Sequence, residues 1–173
     1  MADEKYNAKV EEYILTDSPV VFGNYDSDHA KCVIKSFLCH AKKSILLLSG
    51  TFPEDFYGEN IVNELRAAKK RISGDIRVIT LDGKISPVLK KLCDAEEIEY
   101  RAGLYTGDEI SHFMVVDGKR YRLEAPHEAT EDETPEIVKA EVCCNGVKKA
   151  SELIAFFEKA WRLLAPTQGR ATS

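Results

Sequence analysis

The chain of 173 residues lacks any apolar run long enough to cross a bilayer; its most hydrophobic block, Ile45 to Leu48, has the length of a strand. No apolar stretch accompanies the charged residues between Met1 and Val10, so nothing there reads as a secretory signal. The expected location is the cytoplasm, with no membrane partner. The sequence also lacks a CxxC pair: its five cysteines, Cys32, Cys39, Cys93, Cys143 and Cys144, are an odd set scattered among apolar neighbours. Reduced thiols in a core fit that pattern better than a disulfide framework. Cys39 and His40 are adjacent, and adjacent residues on a helix point different ways; with the usual zinc spacings missing, neither metal nor cofactor is expected. An excess of basic charge is missing as well. Lys and Arg number 24 against 29 Asp and Glu, a net charge of −5, which weighs against general electrostatic binding to nucleic acid. Local clusters at Lys69, Lys70 and Arg71, at Lys90 and Lys91, and at Lys119, Arg120 and Arg122 read as solvated helix ends and hairpin turns. They leave a nucleic-acid role undecided.

What is present is the composition of a globular domain, 44% hydrophobic and 31% charged, with a mean hydropathy of −0.28. The length suits one core. Tyr6, Val10, Tyr13 and Ile14 give residues 1–17 an amphipathic stretch, read as a leading helix ahead of a domain at 18–165. Val20 to Phe22 reads as a brief strand. Asp26, Ser27 and Asp28 then offer N-caps for a helix to about Lys42, with Val33, Ile34, Phe37 and Leu38 inward. Ser44 to Gly50 reads as a strand buried on both faces. The segment Glu59 to Ile72 puts Ile61, Val62, Leu65 and Ala68 on one helical face. A strand at Ile76 to Leu81, a helix at Ile85 to Cys93 and a short strand at Glu97 to Arg101 follow. This alternation predicts an α/β fold with a mixed, mostly parallel sheet and helices on both faces.

The pattern then changes. His112 to Val116 and Lys119 to Glu124 flank Asp117 and Gly118, a dipeptide suited to a two-residue hairpin turn. The acidic stretch Ala125 to Glu136 reads as a loop and Ile137 to Cys144 as a strand. Val147, Ala150, Ile154, Phe157, Trp161 and Leu164 stripe a long last helix, before a tail at 166–173 expected to be disordered. No phosphate-binding glycine loop follows the first strand, which argues against a nucleotide-binding module.

Three segments carry a family resemblance: Ala41 to Gly50, Ile61 to Leu81, and His112 to Glu124 followed by the helix bearing Phe156, Phe157 and Trp161. Together they resemble the phospholipase D-like superfamily over roughly residues 18 to 165. That resemblance implies a catalytic motif of histidine, any residue, lysine, four residues and aspartate on a hairpin strand. Aligned on Asp117, the histidine position is Ile110 and the lysine position is His112; aligned on His112, the lysine becomes Met114 and the aspartate Lys119. The family's downstream glycine, serine and asparagine are also missing, with Arg122, Leu123 and Glu124 in that region. In the family the histidine attacks phosphorus, and lysine with asparagine neutralises charge on the phosphoryl oxygens. Its site is built from two motif copies, so this chain is expected to act as a homodimer or as a subunit of a larger assembly.

His112 is the candidate catalytic or anion-binding residue, and a histidine simply hydrogen-bonded at the sheet's end is an equal reading. Arg122 and Glu124, two apart on one strand face, could line a pocket with His112 and His127, or form a salt-bridge cluster. A metal site from His112, His127 and Glu124 has only generic spacing. Ser49, Gly50 and Thr51 stand at the strand edge where open α/β sheets bind ligands, and Asp82 and Gly83 end the next strand. The expected function is a non-catalytic ligand-sensing or scaffold module of a prokaryotic assembly, with a small anion as one candidate ligand. The alternative is a homodimeric phosphodiesterase or nuclease working through His112.

Overall fold

The computed structural model describes residues 4–96, 98–103, 112–124 and 140–164. The expected loop at Ala125 to Glu136, the tail at 166–173, and the candidates His127 and Ile110 lie outside them.

Twelve elements follow in order: α1 (Glu4–Leu15), β1 (Val21–Asn24), α2 (Ser27–Cys39), β2 (Ile45–Ser49), α3 (Glu59–Arg71), β3 (Ile76–Thr80), α4 (Pro87–Ala95), β4 (Glu99–Ala102), β5 (His112–Val116), β6 (Arg120–Glu124), β7 (Ala140–Cys143) and α5 (Val147–Leu163). The strands form one sheet in the order β1-β7-β6-β5-β2-β3-β4. The sheet is mixed, as expected, but parallel pairing is confined to β2 with β3 and β3 with β4. The other four pairings are antiparallel, so the expectation of a mostly parallel sheet is corrected. A parallel pair needs a crossover, and only α3 and α4 connect neighbouring strands that way. The hairpin and β7 return antiparallel, and β1 pairs at the far edge.

Side-chain alternation divides the core in two. Ile45, Leu47, Ile76, Val78, Met114, Val116 and Val142 face the layer made by α1 to α4. Leu46, Leu48, Ile79, Phe113, Val115 and Tyr121 face α5, which brings Ala150, Leu153, Phe157 and Trp161 to them. Helix α1 belongs to the first of these cores, burying Val10 and Ile14. Val147, expected in the α5 stripe, is 54% exposed because it opens the helix beyond the sheet's cover.

The turn between β5 and β6 has φ 56° at Asp117 and 72° at Gly118, the backbone that a primed hairpin turn requires. The basic cluster beside it is not a solvated turn. Arg120 and Arg122 are buried on the helix-covered face, and Lys119 Nζ reaches Asp17 at 2.5 Å. All five cysteines are free; Cys39, expected in the core, is exposed and its thiol donates to Glu64 at 3.2 Å.

Candidate functional site

Register decides what gathers at one end of the sheet. His112 of β5 is opposite Glu124 of β6, Glu124 is opposite Ala140 of β7, and Ala140 is opposite Asn24 of β1. On the other side of β5, Leu48 pairs with Phe113, which brings Ser49 at the end of β2 next to His112. Two-residue alternation puts Asn24, Arg122, Glu124, His112 and Ser49 on the face covered by α1 to α4. Because β2 and β5 run opposite ways, the carboxyl end of one meets the amino end of the other.

These side chains form a connected polar floor. Arg122 Nε donates to Asn24 Oδ1 at 2.8 Å, and its Nη2 donates to Glu124 Oε2 at 2.9 Å. Both charged side chains are buried, Arg122 at 4% and Glu124 at 8% exposure, where an unpaired charge would be costly. His112 Nδ1 lies 3.0 Å from Ser49 Oγ, and that hydroxyl donates to the Thr51 carbonyl at 2.5 Å. Above the floor is a cavity of about 470 Å³, within the size range of small-molecule sites. Its walls come from the entry to α2 (Tyr25, Asp26 and Ser27) and from the β2–α3 connection (Thr51, Pro53, Asp55, Phe56 and Tyr57).

Burial pushes the Tyr57 hydroxyl up to about 12; nearby Arg122 draws it down and Glu124 pushes it up. Asp26 caps α2, accepting the His29 N–H at 2.7 Å, so its charge partly answers the helix dipole at the rim.

Of the candidates read from the sequence, Ser49, Thr51, His112, Arg122 and Glu124 all line this one cavity. Asp82 instead organises its own turn, accepting from Thr80 Oγ1 at 3.2 Å and Lys84 N–H at 2.8 Å. Sequence reasoning missed Asn24 and Tyr57. The alternation of Phe22 and Asn24 was a usable signal for the first, since both face the helix layer; a tyrosine in a loop gave none. Among the described residues, no group of three or more His, Cys, Asp or Glu is placed to hold a metal ion. The two-histidine site involving His127 extends outside them.

No protein-family model and no curated protein matches the sequence. Solved structures do. Nuc from Salmonella typhimurium, a phospholipase D family member, is 19% identical with a TM-score of 0.66, covering 87% of this chain and 99% of its own. NucT from Helicobacter pylori is 12% identical with a TM-score of 0.62, covering 85% and 97%. TrmBL2, an archaeal chromatin protein, is 16% identical with a TM-score of 0.59; the match covers 92% of this chain and 61% of that one. The element order, the mixed seven-stranded sheet and these matches together give this chain the phospholipase D-like fold.

Proposed function

We propose that the chain is a non-catalytic phospholipase D-like module that senses a small ligand in the cavity at the end of its sheet. The carrying observation is the state of Arg122. It is the cationic side chain of the cavity among the described residues, and Asn24 and Glu124 already engage it. Phosphoryl transfer needs positive charge held ready for the oxygens of the transition state. A guanidinium neutralised by a buried carboxylate is poorly suited to that, and no lysine joins it in the cavity lining. His112, at the family's lysine position, completes a motif whose chemistry has been replaced.

Likeness to a chromatin protein longer than this chain supports a place within an assembly, as a cytoplasmic sensor or scaffold subunit or as a homodimer. No helix among the described residues is long and apolar enough to cross a membrane.

One observation favours the phosphodiesterase reading. The Ser49 hydroxyl proton goes to Thr51, so Nδ1 of His112 donates to Ser49, and the neutral ring keeps its lone pair on Nε2, as a nucleophile or base must. The test is hydrolysis of bis(p-nitrophenyl) phosphate and of single-stranded DNA, with and without chelator, beside a His112→Ala variant. The expected result is no turnover above blank. Turnover that the variant abolishes would make the protein an enzyme acting through His112.

A further inference from the structure

The charge and hydrogen-bonding character of the cavity narrows its ligand class, resting on the ligand-binding reading above. Three carboxylates line it, Asp26, Asp55 and Glu124, against the single guanidinium of Arg122. Ionised carboxylates only accept hydrogen bonds. The Ser49 hydroxyl has one proton and two neighbours; the Thr51 carbonyl can only accept, so that proton goes there and Nδ1 of His112 donates. The neutral imidazole is thereby fixed as an acceptor at Nε2. Electropositive character that α2 brings to the rim is met by Asp26, its N-cap. The exposed wall is aromatic, with Tyr25, Phe56 and Tyr57 around the mouth. Phe56 shows what such a ring accepts: Lys31 Nζ lies 5.4 Å from its centroid.

We propose that the cavity binds a small organic ammonium ion, drawn in by Asp26 and Asp55 and enclosed by the aromatic rim. An ammonium group has donors and no acceptors, which complements this lining. The anion anticipated from the family resemblance would meet carboxylates at the mouth and an occupied guanidinium on the floor.

The test titrates the full chain, by calorimetry and by NMR of the cavity residues, with isoamylammonium, isoamyl alcohol and inorganic phosphate. The first two share a carbon skeleton and differ in the charged group. The ammonium is expected to bind about tenfold more tightly than the alcohol, with phosphate not binding. Asp55→Asn and Phe56→Leu, both at the solvent side of the cavity, should each weaken the ammonium several-fold with thermal unfolding unchanged. Equal affinity for the alcohol, or tighter binding of phosphate, overturns the ligand class and leaves a ligand-binding module in place. Ammonium binding insensitive to both substitutions, or absent, overturns the site. Phosphodiester hydrolysis abolished by His112→Ala would instead overturn the non-catalytic reading, so the two failures are distinguishable.

Discussion

Asp117 shows how much one side chain can carry beyond its sequence role. As the residue before Gly118 it is a turn former, and its positive φ bears that out. Its carboxylate does more, accepting backbone N–H groups of Lys42 at 3.0 Å, Lys43 at 2.7 Å and Ser44 at 3.2 Å, with Arg120 at 3.3 Å. It ties the hairpin to the entry of β2, the strand that delivers Ser49 to the cavity. Replacing it with alanine strands three amide donors and leaves the buried Arg120 guanidinium without its carboxylate. Asp117→Ala should therefore cost about 3–5 kcal/mol, read as a lower urea midpoint at constant m. Asp117→Asn keeps an acceptor and tolerates the left-handed turn, so a clearly smaller loss is expected; equal losses would show that the turn and not the charge matters. The candidate site was partly legible for a related reason. Two-residue alternation puts Arg122 and Glu124 together from sequence alone. The Asn24 partner of Arg122 is 98 positions away, and only the register of β1 on β7 brings it there.

At the scale of elements, strands and helices with a strong local period were readable, and sheet order was not. Helix α3 declares its buried Ile61, Val62, Leu65 and Ala68 by spacing, and the hairpin declares itself by Asp117 and Gly118. The position of β1 at the edge beside β7 depends on contacts more than a hundred residues apart, which no local pattern encodes. Helix α5 is the sole helix on its face among the described residues, so its anchoring matters. Arg101 of β4 donates through Nη1 to the carbonyls of Trp161 and Leu164 at the helix's carboxyl end, and its guanidinium sits 4.3 Å from the Trp161 ring centroid. A cation there answers the helix dipole and satisfies carbonyls the helix cannot. Arg101→Lys keeps the charge but loses the planar fork and the stacking surface. It should destabilise by about 1–2 kcal/mol. Trp161 is the chain's one tryptophan, so its emission reports directly on this contact and should shift red in the variant before global unfolding.

Across the whole molecule, one face of the sheet holds nearly all the buried acidic protons that resist ionisation. Burial pushes the Cys93 and Cys144 thiols from an ordinary 9.0 up to about 12, and the Tyr57 hydroxyl from 10.0 up to about 12. All three lie on the side covered by α1 to α4. Each is neutral when protonated, and the fold favours that form. The unfolded chain therefore loses these protons at lower pH than the folded one does. Stability from the thiols is fully present below about pH 9 and is lost as pH rises towards about 12, with Tyr57 joining from about pH 10. Each group that is ionised only in the unfolded chain adds a slope of about −1.4 kcal/mol per pH unit. Urea midpoints should stay flat as the thiols remain protonated in both states, then fall steeply above about pH 9. Cys93→Ala removes one of the three groups and should make the alkaline fall shallower, even though the variant starts less stable from the cavity it leaves. An unchanged slope in that variant would mean that Cys93 ionises in the folded protein as readily as in the unfolded chain, and that this core admits water.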